Sequence, residues 1–202
     1  MPVEVKKNGQ QDQFSEPSRA RVAAFTRSAC TQANVMQRPL LARLNIEINP
    51  FNFKSLSSAI EHSGQTYSLW FDQANNRRWL AVGSELEVSG SDLHAIRPVF
   101  TELKTVVYED GPSDTPLVFF GGAFAQGRGM STEKDRLWYE WPEAMLRVPN
   151  WVVSEVQGQG NPTLTISLWV RPGDEAGGLD ARISDILRGI SNCETVEAWH
   201  VG

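Results

Sequence analysis

The sequence predicts an α+β protein, with a large mostly antiparallel sheet and two to three packing helices. Three observations carry that prediction. Residues 163–170 alternate cleanly, with Leu164, Ile166, Leu168 and Val170 on one side, the period of a strand. Two aromatic-rich runs, 67–72 and 78–83, flank the polar stretch 73–77, the pattern of a hairpin. Leu179, Ile183, Ile186, Leu187 and Ile190 recur at helical spacing and share one apolar face.

The remaining elements follow in chain order. Residues 1–39 read as a polar, partly disordered leader, with a weak helical pattern over 18–31. The folded region is expected over 40–202. Residues 40–48 alternate through Leu44, Ile46 and Ile48 as a strand, and Asn49-Pro50 ends it. Phe53, Leu56, Ala59 and Ile60 fit one face of a short helix that stops near Gly64. Residues 85–88 are expected to extend the meander.

Ser91 or Asp92 opens a helical pattern through Leu93, Ile96, Phe100, Leu103 and Val107. Pro98 either kinks this helix or lies in its first turn. Residues 116–124, entered through Pro116 and rich in Val and Phe, read as a strand buried on both faces. The Gly121-Gly122 step at its exit predicts a close backbone approach. A polar loop, 126–134, and an aromatic block, 138–142, come next. Strands are expected over 144–148 and 151–156, and a turn over 157–162.

The bulk numbers bound the function. A chain of 202 residues and 41% hydrophobic content can build the core of one domain. Its net charge of −5 argues against a general nucleic-acid binder, which needs surplus Lys and Arg for phosphate contacts. The charge is uneven. Residues 1–43 hold seven Lys or Arg against three acids, which leaves −9 on the remainder. Acids at Glu4, Asp12 and Glu16 fit an organelle transit segment poorly. No run is apolar enough to span a bilayer. Two distant cysteines, Cys30 and Cys193, fit a reducing cytoplasm.

The usual site motifs are absent. There is no P-loop, no G-x-G-x-x-G after a strand, no C-x-x-C, no H-E-x-x-H and no G-x-S-x-G. His62, His94 and His200 are scattered, and nothing pairs one with a nucleophile. Glu140 and Glu143 straddle Trp141-Pro142, where aromatic surface would raise a carboxyl pKa; carboxylates left in water are the simpler reading. Gly127-Arg128-Gly129 has the makings of an anion contact, or of an ordinary loop tip. Trp138, Tyr139, Trp141 and Trp151 suit ring stacking or a sheet–helix core. No residue is assigned a catalytic, cofactor-binding or metal role.

The order of these elements closely resembles the N-terminal half of isochorismate synthases. The resemblance runs over about residues 40–170. It rests on Thr66-Tyr67-Ser68-Leu69-Trp70-Phe71-Asp72, Trp79-Leu80-Ala81-Val82-Gly83 and the helix after Ser91. It continues through Val118-Phe119-Phe120-Gly121-Gly122-Ala123-Phe124, then Trp141 to Pro149 and the 163–170 strand. Anthranilate and aminodeoxychorismate synthase large subunits share the fold. Their Leu-Leu-Glu-Ser type inhibitor motif is not seen, and residues 68–73 occupy that region. This favours the isochorismate branch.

The resemblance implies Mg²⁺-dependent conversion of chorismate to isochorismate by the complete enzyme. In that family the water-activating Lys, the general-acid Glu and the Mg²⁺ carboxylates lie in a second half, and none of those motifs occurs here. The implied partner is therefore a C-terminal catalytic half or a complementing chain, and apolar surface is expected where it would pack. The alternative is a non-catalytic binding or regulatory module that pairs with a separate catalytic chain.

Overall fold

A computed structural model describes residues 16–48, 52–90, 92–111, 115–116, 118–122, 144–156 and 158–194. Helix α1 (Glu16–Met36), strand β1 (Leu40–Glu47) and helix α2 (Phe53–His62) come first. The hairpin β2 (Tyr67–Asp72) and β3 (Arg77–Val82) leads to β4 (Leu86–Gly90), α3 (Leu93–Thr105) and β5 (Val107–Asp110). Then follow β6 (Phe119–Gly122), β7 (Ala144–Val148), β8 (Trp151–Val156), β9 (Gln159–Val170) and α4 (Ala176–Glu194). The α+β class holds.

The described strands form two sheets. Six strands run in the order β2-β3-β8-β9-β1-β5, and three in the order β4-β7-β6. Among the described residues all pairs are antiparallel except β1 with β5. Residues 85–88 therefore do not extend the meander. Gly83, at φ +69°, turns the chain out of the large sheet and into the small one. The predicted strands 144–148 and 151–156 likewise fall in different sheets. Alternation reports which side chains point inward, not which neighbour a strand chooses. The helix expected through Val107 stops at Thr105, and Val107 opens the four-residue β5 instead. Val107 keeps the helical spacing of Phe100 and Leu103, so the apolar pattern runs on past the true helix end.

One face of the large sheet packs against α1, α2 and α4. Leu44, Ile46, Leu80, Val153, Leu164, Ile166 and Leu168 meet Leu56, Ile60, Leu179 and Ile183 there. Val22, Phe25, Ala29 and Ala33 of α1 belong to this same core. The first helix, within the stretch expected to be a leader, is thus longer than the 18–31 pattern and packs into the core. A second core joins Ile96 and Leu103 of α3 to Ala144, Leu146 and Val148 of β7, with Leu41 from the large sheet.

Strand β1 is buried on both faces. Its odd-numbered residues Arg43 and Asn45 enter a polar network. Arg43 Nη1 donates to Glu109 Oε1 at 2.9 Å, and Nη2 to the Thr115 carbonyl at 3.0 Å. Asn45 Nδ2 donates to the carbonyls of Asp110 and Gly111 at 3.3 and 3.2 Å. The Thr165 hydroxyl donates to Asn45 Oδ1 at 2.6 Å. These bonds fasten β5 and residues 115–116 over β1 and β9. Burial lowers the proton affinity of Arg43, and Glu109 opposes that shift.

Strand β6 differs from expectation. Among the described residues it pairs only with β7, as an edge, and Phe120 is 45% exposed. A Cβ on Gly121 would find only Met145 Cε, at 3.7 Å. A closer approach lies at Gly90. A Cβ on Gly90 would come within 2.8 Å of Ala95 Cβ, where Asp92 Oδ1 caps α3 by accepting from Ala95 N at 2.9 Å. Pro98 sits inside α3 rather than opening it.

Candidate functional site at the crossing between the sheets

Two short connections join the sheets, and they run side by side. Residues 83–85 carry the chain from β3 to β4, and residues 149–150 carry it from β7 to β8. They are stitched by backbone bonds: Glu85 N to Val148 O at 2.8 Å and Asn150 N to Val82 O at 3.0 Å. Gly83 lets them touch. A Cβ at that position would lie 2.1 Å from Asn150 Oδ1, so only glycine suits both the backbone angle and the space.

Glu85 locks the crossing. Its side chain is 7% exposed. One oxygen accepts from Trp169 N at 2.7 Å and the other from Asn150 Nδ2 at 2.8 Å. Arg182 Nη2, from α4, reaches both oxygens at 3.0 and 2.7 Å. One carboxylate thus ties the large sheet, the 149–150 crossing and α4 together.

Beside this knot lies a cleft of about 450 Å³, within the size range of small-molecule sites. Its lining is basic at Arg147 and Arg182, acidic at Glu87 and Asp185, and apolar at Val82, Trp151 and Ile186. Arg147 reaches it because β7 alternates: Ala144, Leu146 and Val148 turn into the core, and Arg147 turns away. Arg147 Nε and Nη2 pair with Glu87 Oε2 at 2.9 and 2.8 Å.

The residues singled out from the sequence do not converge here. Glu140, Glu143, Arg128, Trp138, Tyr139, Trp141 and His200 lie outside the described residues. His62 and His94 are exposed on separate helices, and His62 Nδ1 donates to the Ser58 carbonyl at 2.6 Å. Cys30 is buried, and burial, then Asp174 and Asp180, pushes its thiol up. Trp151 is a core residue at 7% exposure that also lines the cleft. Among the described residues no three His, Cys, Asp or Glu side chains are grouped to hold a metal, and none is assigned to Mg²⁺. No described helix is long and apolar enough to cross a membrane.

The family model described as "Chorismate binding enzyme" matches residues 27–199. The chain belongs to the chorismate binding enzyme family. The match begins inside α1, in keeping with the packing of that helix in the main core. No curated protein matches the chain. For a chorismate binding enzyme the cleft is placed where the recognised segments meet. Gly83 ends one, Thr66 begins another, and Arg147 precedes the Pro149 that ends a third. The knot itself, Glu85 with Asn150 and Arg182, was missed by sequence reasoning. The Gly83 turn was its one readable signal, since a glycine at a strand exit flags a close neighbour without naming it.

Proposed function

We propose that this chain is the N-terminal portion of an isochorismate synthase. With its catalytic half and Mg²⁺ it takes part in converting chorismate to isochorismate in the cytoplasm, and it is inactive alone. The observation that carries this reading is the chorismate binding enzyme match over 27–199, joined to the motif order that favours the isochorismate branch. The chemistry requires an activated water, an acid to protonate the leaving hydroxyl and a cation beside the substrate carboxylates. The cleft residues supply none of these as a set.

A surface feature supports a partner. Leu69, Trp70 and Phe71 are 38%, 55% and 59% exposed on β2, an edge of the large sheet among the described residues. Three consecutive large apolar side chains on such an edge are a liability unless something covers them. The test is chorismate turnover, followed by chromatography of isochorismate, for the purified chain with Mg²⁺, alone and with a catalytic half supplied as a separate chain. Turnover only in the mixture is the expected result. A stable complex without turnover favours the second reading, a regulatory module. Turnover by the chain alone, or no association at all, overturns the proposal.

A further inference from the structure

Among the described residues the large sheet ends in β2 and β5, and the small one in β4 and β6. Three of these edges are blunted against pairing with another chain. β5 has four residues and carries Glu109 and Asp110, β4 carries Glu87, and β6 has four residues and ends in Gly121-Gly122. β2 is the longest of the four. Its one charged residue, Asp72, sits at its end and accepts from Ala74 N and Asn75 N in the hairpin turn.

The ladder fixes which backbone groups of β2 face outward. Gly83 N donates to the Thr66 carbonyl at 2.8 Å, one step beyond the pair Tyr67–Val82. Bonded and non-bonded pairs alternate along an antiparallel ladder. Ser68, Trp70 and Asp72 therefore turn their N–H and C=O groups to β3, and Tyr67, Leu69 and Phe71 turn theirs away from the sheet. Those three also share one side-chain face. Leu69 is opposite Leu80 of the main core, and Tyr67 packs against that core.

An edge of this kind is self-complementary. Laid antiparallel to a second copy about a two-fold axis at Leu69, it sets Leu69 against Leu69 and Tyr67 against Phe71. Every outward residue then exchanges both backbone bonds. A shift by one residue opposes outward groups to inward ones, and a shift by two leaves an outward residue with no mate inside β2. The leucine pair and the aromatic pairs extend the helix-covered face across the axis, and the two Trp70 rings become diagonal neighbours on the other face. Asp72 falls opposite Thr66. The two Asp72 carboxylates lie about 20 Å apart, six residues at about 3.4 Å each, well beyond a screening length of about 8 Å. No like charges meet.

We propose that β2 is the interface of a homodimer, in which two copies of this chain pair their β2 strands about Leu69 and join their six-stranded sheets into one. Two-fold pairing consumes the edge on both copies, so assembly closes at two. The dimer goes beyond the isochorismate reading and does not rest on it, since no catalytic half takes part.

The test is sedimentation velocity of the intact chain over a range of micromolar concentrations, and a dimer is expected. Leu69→Lys sets two ammonium groups together at the axis and removes both leucines. It should weaken dimerisation about a hundredfold or more, with the circular dichroism spectrum unchanged. Leu69→Cys should form a disulfide between copies under mild oxidation, because bonded antiparallel residues lie about 5.5 Å apart at Cα. Peptide mapping should then join position 69 to itself. If Leu69→Lys does not fold, that bridge decides. A chain that stays monomeric, as expected were a catalytic half the occupant of this edge, overturns the proposal. So does a dimer that Leu69→Lys leaves intact, or mapping that finds no bridge at position 69. None of these readouts involves isochorismate, so this failure and that of the proposed function are separable.

Discussion

Gly83→Ala tests the crossing directly. At φ +69° an L-residue is held in a left-handed backbone, which costs about 1–2 kcal/mol. The added Cβ would also lie 2.1 Å from Asn150 Oδ1, so the Asn150 side chain must move. Moving it breaks the 2.8 Å bond from Asn150 Nδ2 to Glu85, about 1.5–3 kcal/mol for a bond to a charged acceptor. Together these give a loss of about 3–5 kcal/mol. That is a large part of a typical folding stability of about 5–15 kcal/mol. For a domain of this size it corresponds to a fall in Tm of roughly 6–20 °C. The assay is urea unfolding followed by circular dichroism, for Gly83→Ala in the natural and in an Asn150→Ala background. In the second background the bond to Glu85 is already gone, so the glycine change should cost only the backbone part, about 1–2 kcal/mol. Equal costs in both backgrounds would refute the reasoning, because the Asn150 contact would then contribute nothing.

Glu85→Gln removes the charge that Arg182, Asn150 and Trp169 N share, and should cost about 3 kcal/mol; Arg182→Gln should cost a similar amount, and the pair less than their sum, as read from urea midpoints. Thr165→Val keeps the shape of a fully buried side chain but strips Asn45 Oδ1 of its hydroxyl donor. It should cost about 1–3 kcal/mol with the urea m-value unchanged. The Asn75 side chain, then the Asn75 and Ala74 backbone N–H groups, hold the Asp72 carboxyl below its ordinary pKa. A carboxyl lowered by folding adds stability above its unfolded pKa and loses it as pH falls through the lowered value. NMR titration of Asp72 should therefore show a midpoint below that of Asp72 in a short peptide; a midpoint at or above it would discount the turn-capping account.

Strict alternation and helical spacing placed most elements, because each pattern is set by a local period that burial on one face enforces. β9 from Thr163 onward, α4, the β2–β3 hairpin and the start of α3 at Asp92 were legible in this way, whereas Gln159–Pro162, read as part of a turn from their Gly, Asn and Pro content, are the first residues of β9. The division into two sheets was not legible. Leu86 and Val88 alternate as well for a third meander strand as for a strand in a separate sheet, and only the Gly83 turn separates the two. Strand β6 misled for a related reason. An apolar run with Val and Phe reads as fully buried, whereas Phe120 stands partly in solvent at an edge. In α1 the apolar residues that reach the core are interspersed with Ala and Cys, which dilutes the helical signal.

The candidate cleft was legible only in fragments. Gly83, Thr66 and Arg147 each lie in or beside a recognisable segment, but they are far apart in sequence. Nothing local says that Glu85, an ordinary surface residue type, gathers the donors of Trp169, Asn150 and Arg182 in a buried position. That role depends on Arg182, 97 residues away, and long-range charge pairing leaves no period to read.

The position of β1 has a consequence for synthesis on the ribosome. It precedes every other described strand in the chain, yet in the large sheet it lies between β9 and β5. Its antiparallel neighbour is the last of the described strands to be made: Asn45 and Thr165 are 120 residues apart. Translation at about 5–20 residues per second puts roughly 6–24 s between the two. Throughout that interval the apolar residues Leu44 and Ile46 lack their β9 partners Ile166 and Leu164. Helix α1 is available early, but α4, against which it packs, is later still. The nascent chain thus carries this buried strand without its main partner until almost everything else has emerged.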